Sequence, residues 1–260
     1  MKDIVIQGIN WDSKSSFQQG PAKAPDLIRK ALYSDSMNLY TELGTSIEND
    51  AVTDKGDFII NEYFDIETIT KKNIETGSKL LSLGGDHSVT FPIIKAFHEH
   101  YPKLDILHID AHADLYHDYE GDPYSHACPF ARIMENEFAV KLVQVGIRTL
   151  NPHQADQAKK YNVDVHEMRN LDLKAIPKFE NPLYISLDMD GFDPAFAPGV
   201  SHHEPGGLSS RQVLDLIQSI DTEVVGADIV EYNPDRDFHD MTAYLAAKMM
   251  KELLGKLMGN

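Results

Sequence analysis

The sequence predicts an α/β fold of three layers, α/β/α, around a mostly parallel central sheet. Three observations predict it. Several short runs are almost continuously apolar, as strands covered on both faces must be. Amphipathic stretches alternate with them, as crossover helices do. The polar clusters recur at one place, the C-terminal end of an apolar run, and open α/β sheets bind ligands beyond those ends.

Taken in order, the first strand is expected at residues 3–6. No basic stretch followed by a long apolar core stands ahead of it, so no signal peptide is expected. Further strands are expected at 80–83, 106–109, 142–145, 183–187 and 224–229. Helices are expected at 25–32, 91–100, 129–136, 153–161, 210–220 and 241–257, with Ser209 or Ser210 placed to cap the fifth. Prolines are scattered, and no linker or charge block divides the chain, so residues 1–260 are expected to form one domain.

Composition narrows the partners. Lys and Arg total 24 against 41 Asp and Glu, a formal charge of −17. Such a surface repels nucleic acid and anionic lipid and suits a small cationic substrate and metal ions. No apolar run approaches the roughly 18 residues of a membrane span. Cys128 is the one cysteine, so no internal disulfide framework forms, and a reducing, cytoplasmic setting is expected.

The chemistry lies in the strand-end clusters. Leu83 is followed by Gly84-Gly85-Asp86-His87, and Ile109 by Asp110-Ala111-His112-Ala113-Asp114. Leu187 is followed by Asp188-Met189-Asp190, and Val230 by Glu231. If strand conformation continues, Asp110, His112 and Asp114 project from one face, as do Asp188 and Asp190. With His87 that makes four carboxylates and two imidazoles at one crevice, a set that repels unless cations compensate it. Mixed oxygen and nitrogen donors without thiolate point to Mn²⁺. Six ligands exceed the needs of one catalytic ion; if Asp110 and Asp188 bridge, two ions fit roughly 3.5 Å apart. Such a pair activates water near neutral pH, and Asp114 is placed to accept a hydrogen bond from the nucleophile. A lone Asp-x-His or Asp-x-Asp is usually a turn or a satisfied pair; three such clusters at three strand ends reverse those odds.

At these residues the chain resembles the ureohydrolases: arginases, agmatinases and guanidino-acid hydrolases. The resemblance rests on Gly84-Gly85-Asp86-His87-Ser88, on Asp110 to Asp114, and on Ser186-Leu187-Asp188-Met189-Asp190-Gly191-Phe192-Asp193-Pro194. It extends nearly end to end, from residues 15–25 to Glu231-Tyr232-Asn233-Pro234. It implies a homo-oligomer, trimer or hexamer, holding two Mn²⁺ per subunit. One ion would take His87, Asp110, Asp114 and Asp188; the other Asp110, His112, Asp188 and Asp190. His126 matches the family's proton-shuttling histidine, and Glu231 the carboxylate that receives the guanidinium. Asp193 is implied as a supporting residue.

The resemblance is closest in motif to the plant-type arginases. Ser201-His202-His203-Glu204 and Tyr124-Ser125-His126-Ala127 carry it, and Asn151 stands where animal arginases place a carboxylate. The implied substrate is L-arginine, with Asn151, His126 and Glu231 contacting it. Agmatine or a guanidino acid is the alternative: Asp118, Glu120 and Asp122, if they point inward, would favour agmatine's amine. Two other classes compete with this reading. A single-zinc deacetylase has no use for both His87 and Asp114, and a non-catalytic metal-binding relative would be expected to lack ligands.

Overall fold

The computed structural model describes residues 3–75 and 77–259. Among these residues eight strands form one sheet in which every neighbouring pair is parallel. They are β1 (Ile4–Asn10), β2 (Val52–Ile59), β3 (Lys79–Leu83), β4 (Asp105–Ile109), β5 (Lys141–Ile147), β6 (Asp164–Glu167), β7 (Leu183–Asp188) and β8 (Val224–Val230). Seven α-helices accompany them: α1 (Ala24–Leu32), α2 (Asp65–Ile74), α3 (Thr90–His98), α4 (Pro129–Glu135), α5 (Pro152–Lys160), α6 (Ser210–Ser219) and α7 (Met241–Leu257).

Alternation along the strands sorts their side chains into two cores. Ile4, Ile6, Leu81, Leu83 and Leu107 pack with residues of α1, α6 and α7, including Leu32, Val213 and Leu253. Val5, Leu80, Ile106 and Leu142 point the other way, toward Ile66 of α2, Phe97 of α3 and Ile133 of α4. The expected three layers are therefore present, and each expected strand and helix overlaps one of these elements, with bounds that differ by a residue or two at several ends and by more at the C-terminal end of β1.

Three elements escaped the sequence reading. β2 and β6 are the two edges of the sheet, and an edge strand need not be apolar. β2 carries Asp54, Lys55 and Asp57, and Arg29 of α1 pairs with both aspartates, at 2.7 Å from Asp54 Oδ2. α2 buries only Ile66, Thr70 and Ile74, a stripe at every fourth residue.

The strand order is β2-β1-β3-β8-β7-β4-β5-β6. The four strands that end in polar clusters, β3, β8, β7 and β4, are therefore side by side at the centre. Their carboxyl ends open into one crevice. Close approach there needs glycine: a Cβ on Gly85 would lie 1.6 Å from the Trp11 carbonyl oxygen.

Candidate metal centre

The strand conformation does not continue past Ile109, so the period-two projection expected for Asp110, His112 and Asp114 does not hold. Instead the chain turns. Asp110 Oδ1 accepts from the His112 N–H at 2.6 Å, and Asp114 adopts a left-handed backbone with φ 47°. The same correction applies after β7, where Met189–Gly191 form a 3₁₀ turn and Asp188 Oδ1 accepts from the Asp190 N–H at 2.7 Å. Local hydrogen bonds, and not an extended strand, aim these carboxylates. Their convergence survives the change of mechanism.

His87 Nδ1 lies 3.2 Å from Asp110 Oδ2, 3.2 Å from Asp114 Oδ2 and 3.0 Å from Asp188 Oδ2. His112 Nδ1 lies 3.2 Å from Asp190 Oδ2 and 3.5 Å from Asp110 Oδ1. Asp110 thus turns one oxygen toward each group. Among the described residues, two triads bring ligand atoms within 4.8 Å of one another: His87, His108 and Asp110, and Asp110, His112 and Asp190.

The electrostatics of the cluster fit divalent cations. Burial pushes the Asp188 carboxyl well above the ordinary range, and Asp110 and Asp190 push it further. Burial raises Asp190 as well. Burial opposes a charge on His87, but the carboxylates of Asp110, Asp114 and Asp188 outweigh it and drive its pKa well up. His87 Nδ1 is buried, and among the described residues none of its contacts, the three carboxylate oxygens included, has hydrogen-bond geometry. An orphaned imidazole nitrogen facing three carboxylate oxygens is costly for a bare protein and suited to a cation between them.

The partners of these ligands are polar and buried. His87 Nε2 lies 2.9 Å from Ser186 Oγ, whose hydroxyl donates to Asp228 Oδ1 at 2.7 Å. Thr90 and Tyr184 both donate to Asp228 Oδ2 at 2.9 Å. The sequence assigns no role to Asp228 or His108, and it marks Ser186 only as the first residue of the motif that holds Asp188 and Asp190. The sequence signal that could mark His108 is its place two residues before Asp110.

Glu231 also has a left-handed backbone, φ 62°. Its Oε1 accepts from the His87 N–H at 2.9 Å and lies 2.8 Å from His126 Nδ1. His126 Nε2 in turn lies 2.8 Å from Ser16 Oγ, a contact that no sequence signal marked. Burial opposes a charge on His126, but Glu231, and then Asp114 and Asp86, raise its pKa to about 9.

His112, Asp114, His126, Asp188, Asp190 and Glu231 line a pocket of about 210 Å³ that also takes in Tyr116, Tyr119, Asn151 and His202. Asn151 reaches it while capping α5: its Oδ1 accepts from the Gln154 N–H at 2.9 Å and its Nδ2 donates to Tyr116 OH at 2.5 Å. His202 faces the pocket, whereas His203 turns away and lies 2.7 Å from the Pro198 carbonyl oxygen through Nε2. The loop acids do not point inward. Asp118 and Glu120 are exposed, and Asp122 pairs with Lys14 Nζ at 2.6 Å. Asp193 supports its own loop, accepting from the Gly206 and Gly207 N–H groups at 2.7 and 3.0 Å. Cys128 is buried and its thiol is pushed up to about 12 by burial.

Comparison with known proteins agrees with this geometry. The Arginase family model matches residues 2–255. The chain is 45% identical to a mitochondrial arginase of Medicago truncatula, over 97% of this chain and 81% of that one. It is 34% identical to an agmatinase of Bacillus anthracis, over 97% and 91%. The solved arginase from Medicago truncatula superposes with a TM-score of 0.91 at 41% identity, covering 98% of this chain and 87% of that one. The cytoplasmic expectation is overturned here: arginases of Medicago truncatula and Arabidopsis thaliana similar to this chain are named as mitochondrial, or as chloroplastic/mitochondrial, proteins. A single cysteine rules out an internal disulfide framework and does not say which compartment holds the chain.

Proposed function

This chain belongs to the arginase family, and on that premise we propose that it hydrolyses the guanidino group of L-arginine to urea and L-ornithine. One observation carries the reading: His87, Asp110, His112, Asp114, Asp188 and Asp190 gather at one crevice, with Asp110 turned toward both histidines. We assign one cation to His87, Asp110, Asp114 and Asp188, and a second to Asp110, His112, Asp188 and Asp190. The donor set suits Mn²⁺. When bound, such a pair lowers the pKa of water and supplies a nucleophile near neutral pH.

The chain's own residues do the rest. Asp114 accepts a hydrogen bond from the nucleophile and collects its proton. Glu231 receives the guanidinium, a planar cation whose N–H groups match a carboxylate. Its Oε1 is already anchored by the His87 N–H, so the substrate meets a carboxylate of set orientation. His126, protonated up to about pH 9, donates to the departing amine, which leaves as ornithine. Tyr116, Tyr119 and Asn151, also in the pocket lining, present neutral polar groups to the amino-acid end of the substrate.

Two observations favour arginine over agmatine. The acids after Asp114 do not reach the pocket, which removes the charge that would select a free amine. Identity is also higher to the plant arginase than to the agmatinase, 45% against 34%. The agmatinase reading keeps that second relative as its support. The test is urea release by Mn²⁺-loaded protein on arginine, agmatine and 4-guanidinobutyrate in parallel. Highest kcat/KM on arginine is expected. Agmatine or the guanidino acid ahead of it overturns the substrate, and no urea from any of the three overturns the hydrolase. We read residues 1–260 as one domain assembling as trimers or hexamers, which light scattering measures.

A further inference from the structure

We propose that His108, backed by Gln144, is a positioning residue that sets how Asp110 presents its two oxygens to the metal pair. This rests on the reading above that Asp110 is shared between two cations. His108 is fully buried on β4, and its ring stacks on Phe130 with centroids 3.9 Å apart.

The contacts decide its tautomer. Gln144 Nε2 lies 2.6 Å from the Ala113 carbonyl oxygen, which can only accept, so this nitrogen is the amide NH₂. The same nitrogen lies 2.9 Å from His108 Nδ1, which must therefore accept as well. The ring proton is left on Nε2, 2.7 Å from Asp110 Oδ2, and is donated to that carboxylate.

Two consequences follow from that proton. First, His108 stands close enough to His87 and Asp110 to complete a triad of possible ligands, yet neither of its nitrogens has a lone pair free for a cation. It acts on the site through Asp110. Second, Asp110 is gripped at both oxygens, Oδ2 by His108 and Oδ1 by the His112 N–H at 2.6 Å. The carboxylate cannot rotate about its terminal bond, so Oδ2 stays toward His87 and Oδ1 toward His112. Gln144 on β5 ties this arrangement to the turn at Ala113, which leads into Asp114. Partners of this kind orient ligands and tune their basicity, and losing one typically costs 10–100-fold in metal affinity.

The experiment titrates Mn²⁺ by calorimetry into metal-free parent protein, His108→Phe and Gln144→Met. Phenylalanine keeps the ring on Phe130 and removes the donor. Methionine keeps the length of residue 144 and releases the ring to either tautomer. The parent is expected to take up two equivalents, His108→Phe to bind about 10–100-fold more weakly, and Gln144→Met to fall between. Metal-free unfolding midpoints are expected to stay close together. Co²⁺-loaded His108→Phe is expected to keep the parent's ligand-field bands, because His108 lies outside the coordination sphere. Affinity in His108→Phe within about twofold of the parent overturns the proposal. Changed Co²⁺ bands also overturn it, making His108 a ligand, as does a metal-free midpoint lowered as much as the loaded one, making it packing alone. A parent that takes up fewer than two equivalents refutes the shared-ligand reading itself, and the proposal with it.

Discussion

Asp114 and Glu231 are both held in left-handed backbone conformations, at φ 47° and 62°. For a residue other than glycine that costs roughly 1–2 kcal/mol, and each carboxylate is thereby turned into the crevice. Asparagine tolerates the same conformation and is nearly isosteric with aspartate. Asp114→Asn should therefore fold normally while turnover falls by about 10²–10⁴-fold, the usual worth of a positioned proton acceptor; steady-state urea release beside circular dichroism checks it, and unchanged turnover refutes the role. Glu231→Gln probes the acid. Glu231 is the leading group that raises His126, so its loss lowers that pKa from about 9. The protonated ring is the working form, so the basic limb of kcat/KM should move to lower pH in the variant. A pH–rate profile whose basic limb stays put contradicts the assignment. At this scale the sequence was informative about which residues matter, because carboxylates and imidazoles at strand ends are conspicuous by type. It was silent on Ser16 and on the tautomer of His108, since the first depends on His126 and the second on Gln144, each in a segment far away in the chain.

At the scale of the element, legibility followed burial. The central strands are covered on both faces and read as apolar runs; the edges β2 and β6 meet solvent and read as loops. Element ends were less legible than elements, and the stop of β4 at Ile109 is the instructive case. A run of Asp-x-His-x-Asp looks like alternation, but side-chain to backbone hydrogen bonds compete with the strand and win. The cap of α6 was legible. Ser209 Oγ accepts from the Gln212 N–H at 3.2 Å, and Gln212 Oε1 accepts from the Ser209 N–H at 2.9 Å. Ser209→Ala should lose about 1 kcal/mol of stability in urea unfolding while leaving urea release on arginine unchanged. A stability change near zero would show that the capping box contributes nothing here.

Across the whole molecule, the decisive feature is the order of the strands. β3 and β4 come from the first half of the chain, β7 and β8 from the second, and all four lie together, so four clusters spread from His87 to Glu231 share one crevice. Spacing along a chain does not encode that order; the reading that the clusters meet relied on the common rule for the ends of parallel strands. The consequence is a core of buried acids that is stable only when neutralised. Removing metal with a chelator should lower the unfolding midpoint, since a ligand at 100 times its Kd contributes about 2.7 kcal/mol to the folded state. A midpoint indifferent to chelation would mean that the buried carboxylates are neutralised by protons instead.

The most direct test of the shared site is the metal content of purified, Mn²⁺-loaded protein by mass spectrometry of the element, beside an Asp110→Ala variant. The account predicts two ions per chain in the parent and a collapse toward none in the variant, because Asp110 faces both ligand groups. One ion per chain in the parent, or two retained without Asp110, would contradict it.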